Sequence, residues 1–318
     1  MKLSKNEEQR ILELDKFGFS KRSIAEAVLG RSTRESTVRD FLKKTNREST
    51  PKVKEILADS EVVPSPKILM LDIETSPTAS WVWGRWKQNI YQDQVIQESF
   101  ILSYAAKWLY DIDIISEVLT VDEVFSEDDS RLIESLSDIM DKADIIVAHN
   151  GQKFDIPIVN TRMLFHKIDQ PSPYKIVDTL RIAKSKFRFP SNKLDSICQY
   201  LGIQGKIDTG GFLLWKGFLN GDLECITKMQ EYNINDIIIL EEVYLKLVSW
   251  ANTPNLQIYT DITKVSCPSC LSDKVIKTKK FYYTNVNKYE VYKCKDCGKS
   301  FRSRKGVAFD KTNVVVGV

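Results

Sequence analysis

The stretch Lys67-Ile-Leu-Met-Leu-Asp-Ile-Glu-Thr75 decides how this chain is read. An apolar run leads into Asp-x-Glu, so a strand with a buried character ends in two carboxylates, Asp72 and Glu74. Residues two apart on a strand share one face, and both side chains can therefore reach a common point. Burying like charges is costly unless a cation neutralises them. The cation that suits two carboxylates is a hard, oxygen-seeking divalent metal, which points to phosphate chemistry.

Downstream, apolar and aromatic runs predict strands at 99–109 and 111–119 and a helix at about 129–142. A buried strand Asp144-Ile-Ile-Val-Ala148, a helix near 154–166 and a short strand Lys175-Ile-Val-Asp178 follow. The rest reads as helical, ending in a long stretch from about 222 to 249. Strands first, then alternating helix and strand, imply an α/β domain over 66–250 with a mixed sheet flanked by helices. Asp155 falls at a helix start just after a buried strand, which delivers it to the sheet end where ligands gather. Tyr232 and Asp236 are four apart in a helical pattern and share one helix face. His149 ends the buried strand and reads as structural.

Taken together, these residues resemble the DEDD superfamily of 3′–5′ exonucleases, in its tyrosine-bearing branch. Asp72-Ile-Glu-Thr75 is similar to the first motif, Asn150-Gly-Gln-Lys-Phe-Asp155 to the second and Tyr232-Asn-Ile-Asn-Asp236 to the third. The histidine-bearing branch would place His where this chain has Glu231. The segment Trp83-Gly-Arg-Trp-Lys-Gln-Asn-Ile90 is similar to phage-type members. The resemblance covers roughly 67–250 and implies a ribonuclease H-like fold and two-metal hydrolysis of phosphodiesters. It implies two Mg²⁺ or Mn²⁺ ions held by Asp72, Glu74, Asp155 and Asp236, with Asp72 bridging both and Asp155 on the second ion. Tyr232 would orient the attacking water, and Thr75 and Asn150 would contact the terminal nucleotide. Trp81, Trp83 and Trp86 suit either stacking on bases or the core of a hairpin.

Two pairs, Cys267-Pro-Ser-Cys270 and Cys294-Lys-Asp-Cys297, are separated by 23 residues. That spacing predicts one structural Zn²⁺ in a zinc ribbon over 266–305, with disulfides as the other reading. Lys277-Thr-Lys-Lys-Phe-Tyr-Tyr283 and Tyr289-Glu-Val-Tyr-Lys293 read as its hairpin. Their lysines and aromatics suit nucleic acid, though a purely stabilising ribbon has the same pattern. Cys198 and Cys225 read as inert thiols of the core.

Residues 1–48 read as three short helices resembling a helix-turn-helix of the resolvase or transposase type, with Arg34, Arg39 and Lys43 on the candidate recognition helix. A packing or dimerisation module fits the same pattern. Residues 49–65 and 251–265 read as linkers and 306–318 as a tail. Net charge is +3, yet 1–54 carry +6, 271–305 carry +8 and the remainder −11. Basic ends suit a polyanion and an acidic middle suits metal ions. With no membrane-length apolar run and no signal-like N-terminus, the expectation is a cytoplasmic enzyme of a bacterium or phage-infected cell. DNA is favoured over RNA, and a DNA polymerase or a replication or repair complex is the expected partner. A ribonuclease of the same chemistry and a non-catalytic DNA-binding protein are the alternatives.

Overall fold

The strand quoted above, β1 (Ile68–Thr75), lies at the centre of a five-stranded sheet in the computed structural model. The structure describes residues 65–308 apart from 204, 206–209 and 262, together with Ile11, Thr37, Val38, Phe41 and Leu42. After β1 come a small hairpin, β2 (Ala79–Ser80) and β3 (Val95–Gln97), and then β4 (Ile101–Trp108) and β5 (Ile114–Val118). Two helices follow, α1 (Val121–Ser126) and α2 (Ser130–Met140). The chain continues through β6 (Ile145–Ala148), α3 (Asp155–His166) and β7 (Lys175–Asp178). Four helices complete the domain: α4 (Thr179–Lys186), α5 (Leu194–Leu201), α6 (Phe212–Leu219) and α7 (Leu223–Leu247). The sheet order is β5-β4-β1-β6-β7, antiparallel through β5, β4 and β1 and parallel through β1, β6 and β7. This is the mixed sheet flanked by helices that the sequence predicts.

Alternation along β1 feeds a core on each face of the sheet. Leu69, Leu71 and Ile73 join one cluster, with Leu132 and Leu136 of α2 and Val159 and Met163 of α3. Ile68 and Met70 join the other, with Ile182 of α4 and Ile197 of α5. Helix α7 serves both: Ile226 and Met229 pack in the first cluster, and Ile237, Leu240, Val243 and Tyr244 in the second. Between those stretches lie Tyr232, Asn233 and Asp236. The helix changes core layers where its sequence turns polar, against the strand whose own sequence turns polar at Asp72.

The C-terminal module is a three-stranded sheet of β8 (Val275–Tyr283), β9 (Lys288–Cys294) and β10 (Ser300–Arg302), all antiparallel. Within 251–265, read as a linker from sequence, Ala251 and Leu256 are buried. A 3₁₀ turn at Leu256–Tyr259 buries Leu256 in the second cluster, and Leu256 N donates to Pro268 O at 2.8 Å. Lys299 Nζ donates to Ala251 O at 2.6 Å and Leu271 packs on the same cluster. The ribbon therefore docks where β1 begins, and a cavity of about 440 Å³ there is bordered by Lys67, Trp108, Tyr110 and Cys270.

The chain divides into two compact units, Met1–Val62 and Val63–Val318. In the first, Thr37, Val38, Phe41 and Leu42 are helical, with Val38 and Leu42 buried. Apart from Ile11, the rest of the expected helix-turn-helix, including Arg34, Arg39 and Lys43, lies outside the described residues, as do 49–64 and 309–318.

Candidate active site

Asp72 and Glu74 project from one face of β1, opposite Ala105 and Ser103 of β4. Helix α7 lays Asp236 beside them, and Asp72, Glu74 and Asp236 each offer a carboxylate oxygen within 4.8 Å of the others. Asp236 is buried and the other two are half-buried. Two oxygens on one divalent cation, at the usual bond lengths of about 2.0 to 2.6 Å, stand no more than about 5 Å apart. The triad therefore fits a hard divalent ion, and its burial gives a reason to hold one.

Asp155 is the first residue of α3 and is not a member of that triad. Its position follows from the sheet. β6 pairs with β1 only as far as Met70, so the β6-facing edge of β1 is open beyond it. Ile73 N, on that open edge, donates to Asp155 Oδ1 at 3.3 Å. The carboxylate thus continues a ladder that β6 leaves unfinished, between the two acids of β1. Burial raises its pKa from the ordinary 3.8 to about 7, against the lowering effect of the backbone N–H groups of Asp155 and Ile73; the Asp178 carboxylate adds to the rise.

The turn that delivers Asp155 is held from below. Asn150 takes φ of 72°, and its carbonyl accepts from Lys153 N and Phe154 N at 3.0 Å each. At Gly151, a Cβ would stand 2.4 Å from the Ala148 Cβ, so only glycine fits. The Asp178 carboxylate caps α4 by accepting from Leu180 N and Arg181 N, and also accepts from Asn150 N and Gln152 N. His149 lies 2.9 Å from both Thr179 Oγ1 and Asn192 O, which bears out its structural reading.

Two supports of the site carried no motif. Asn233, fully buried on α7, donates from Nδ2 to Asp72 Oδ2 at 2.6 Å and accepts at Oδ1 from Ser103 Oγ at 3.3 Å. Trp215 of α6 donates from Nε1 to Thr75 O at 3.1 Å, at the register shift between Glu74 and Thr75. Its ring meets Tyr232 edge-on, with centroids 6.5 Å apart. An indole that needs an acceptor was the signal for Trp215, while Asn233 sits among other polar residues of α7 and nothing local marked it.

The structure overturns the hairpin-core reading of the tryptophans. Trp81, Trp83 and Trp86 are 75%, 99% and 84% exposed. In the ribbon, Cys267 Sγ and Cys297 Sγ are 3.5 Å apart, and Cys270 Sγ and Cys294 Sγ 3.7 Å. These separations are far beyond a disulfide bond of about 2.05 Å. They are close to the ~3.8 Å that metal–sulfur bonds of about 2.3 Å give around a tetrahedral ion. All four sulfurs lie within 4.8 Å of one another. A hydrogen bond from Cys270 draws the Cys267 thiol down to about 5, while that bond and burial push Cys270 up. Cys198 is buried and Cys225 half-buried against Gly217.

Residues 109–248 match the family model described as RNase_H superfamily. The match takes in Asp155, Tyr232 and Asp236 and begins after Asp72 and Glu74. A stretch of 120 residues is 28% identical to the DNA polymerase III PolC-type of Ureaplasma parvum serovar 3, covering 38% of this chain and 8% of that protein. The chain thus matches less than a tenth of that relative's length. Among solved structures, the family B DNA polymerase of the hyperthermophilic archaeon Pyrobaculum calidifontis aligns at 18% identity and a TM-score of 0.43, over 62% of this chain and 27% of the other. Strand order, layering and the family match agree that the domain holding these carboxylates is ribonuclease H-like.

Proposed function

We propose that the chain is a metal-dependent 3′–5′ exonuclease that hydrolyses phosphodiester bonds of DNA, in single strands or at 3′ ends. The observation that carries this reading is the triad of Asp72, Glu74 and Asp236, with an oxygen of each within 4.8 Å of the others on a ribonuclease H-like sheet. The donor set suits Mg²⁺ or Mn²⁺, and the cysteine cluster suits Zn²⁺. Bound at the carboxylates, divalent ions supply water activation and neutralise charge on the phosphoryl oxygens. The chain's own part is to fix the donors. Asn233 orients Asp72, the end of β1 aims Glu74, and α7 places Asp236 one turn after Tyr232. Tyr232, its ring edge-on to Trp215, would orient the attacking water. Asp155, next to the triad along β1, would hold a second ion, and Thr75 and Asn150 would line the terminal nucleotide.

The 3′–5′ polarity rests on the resemblance of the three motifs, and the tyrosine-bearing branch on Tyr232 together with Glu231 where the other branch would have His. The choice of DNA is supported by the PolC-type relative, named as a DNA polymerase; the basic ends of the chain suit a polyanion of either kind. A replication or repair complex is the fitting partner, in the cytoplasm of a bacterium or phage-infected cell. Among the described residues, no helix is long and apolar enough to cross a membrane.

The test is degradation of 5′-labelled single-stranded DNA and RNA, side by side, with Mg²⁺ or Mn²⁺. A ladder shortened from the 3′ end, faster on DNA and lost in Asp72→Ala, is the expected result. Equal degradation by wild type and Asp72→Ala would sink the enzyme reading.

A further inference from the structure

The segment between β2 and β3 exposes four large rings that no core claims: Trp81, Trp83, Trp86 and Tyr91, the last 69% exposed. Exposed indoles in such number are unusual on a free surface and mark a contact. The loop is built rather than loose. Trp81 N donates to Gln94 O at 2.8 Å, Gln94 Nε2 to Trp81 O at 3.1 Å, and Tyr91 N to Gln94 Oε1 at 2.9 Å. Gln88 Nε2 bonds Trp86 O at 2.7 Å. Trp81, Trp83, Tyr91 and Gln88 border a cavity of about 820 Å³.

Three observations select an occupant. Between the rings stand amide side chains and two cations, Arg85 and Lys87, against a single acid, Asp93, on the cavity rim, so the loop from 81 to 94 is net positive. Indole faces interleaved with cations suit bases and phosphates, whereas a purely apolar patch would suit a protein face. The loop is also continuous with the candidate active site. Its root is pinned to the strands that carry the site: Ser76 N donates to Phe100 O at 2.9 Å and Phe100 N to Ser76 Oγ at 3.0 Å. Trp81 follows Glu74 by seven residues, which bounds their separation at about 25 Å.

We propose that the loop from Trp81 to Tyr91 is a stacking platform for the unpaired bases of a single-stranded nucleic acid whose end lies at the carboxylates. This rests on the nuclease reading for its location but is measured without hydrolysis. In a duplex the bases are already stacked on each other, so their faces are withheld from the rings. The platform therefore makes single strands the preferred substrate.

The experiment is fluorescence anisotropy of a labelled oligothymidylate and a labelled blunt duplex, with the full, zinc-loaded chain in buffer lacking Mg²⁺ and Mn²⁺ so that nothing is cut. The proteins are wild type, Trp83→Ala/Trp86→Ala and Trp83→Phe/Trp86→Phe. Wild type is expected to prefer the single strand, and the alanine pair to weaken single-strand binding about five- to 150-fold for each ring that stacks. The phenylalanine pair should recover most of that loss, and duplex binding should change little. Because the rings are exposed, all three proteins should share one thermal midpoint. Unchanged single-strand affinity in the alanine pair overturns the platform. So does a loss confined to self-association by sedimentation, which would make a second copy the occupant. The two readings fail separately. Ring-dependent binding with no cleavage in Mg²⁺ or Mn²⁺ retains the platform and removes the nuclease. Cleavage with ring-independent binding does the reverse.

Discussion

Replacing Asp155 by asparagine should stabilise the metal-free protein above neutral pH while abolishing the proposed activity. Burial lifts the Asp155 carboxyl from 3.8 to about 7, so between those values the folded chain keeps a proton that the unfolded chain has released. Its contribution to stability is therefore fully present below pH 3.8, falls across the interval and is gone above about 7. The full difference corresponds to about 4 kcal/mol, an upper bound because Asp178 shares in the shift. The substituted amide would keep an acceptor for Ile73 N and carry no charge at any pH. Urea unfolding in EDTA should find wild type and Asp155→Asn nearly equal at pH 4. The variant should be the more stable by about 2 to 4 kcal/mol at pH 8. Taking the difference between proteins cancels the carboxylates that titrate the other way, such as Glu123, held down to about 2 by Arg131. Mn²⁺ at pH 8 should narrow the gap by stabilising the ionised wild type. A gap that is constant with pH, or one that favours wild type at pH 8 in EDTA, would refute the argument that burial, rather than solvation by the open end of the sheet, governs this carboxyl.

Asn233→Ala removes a charge-assisted bond to Asp72 and strands the buried Ser103 hydroxyl, so it should cost about 2 to 4 kcal/mol and weaken Mn²⁺ binding roughly 10- to 100-fold. In a double-mutant cycle by urea unfolding and Mn²⁺ titration, Ser103→Ala should add less to Asn233→Ala than it costs alone. Cys294→Ser should lower bound zinc and the thermal midpoint together, read by a chromogenic chelator and circular dichroism. Zinc uptake by metal-free protein at pH 7 should release at least two protons, measured by calorimetry in buffers of different ionisation heat, because Cys270 and Cys297 are both pushed up.

The parts of this molecule legible in its sequence are those where one period holds over several residues. Lys175–Asp178 forms the short strand that was read there, and Tyr232 and Asp236 fall on the helix face that spacing gives them. The supports were hidden because they are made across the fold. Asn233 and Ser103 are 130 positions apart, and no local pattern pairs them. Trp215 looks like one more apolar residue in Phe212–Leu219 until Thr75 O lies against its indole. Residues 251–265 looked like a linker because a single 3₁₀ turn is too short to show a period, yet Leu256 anchors the ribbon. The tryptophans misled in the opposite sense. Large rings beside a strand usually belong to a core, and only the distance of their loop from both clusters exposes them.

The two ends of β1 divide the labour of the domain. Asp72 and Glu74 stand at its C-terminal end, where α7 changes core layers and the aromatic loop begins. Lys67 and Ile68 stand at the other end, against the ribbon's Ser269, Cys270 and Leu271. Six residues of extended strand from Ile68 to Glu74 separate these ends by about 20 Å. Helix α7 spans the same gap, from Asp236 to a C-terminus beside Ala251, whose carbonyl accepts from Lys299 of the ribbon. The cysteine knuckle of the ribbon therefore lies a strand's length from the carboxylates. The ribbon is joined to the core of the domain, through Leu256 and Leu271. That position weighs against a ribbon that merely grips substrate. A ribbon whose metal holds the far end of the sheet should, when emptied, impair cleavage of short and long substrates alike.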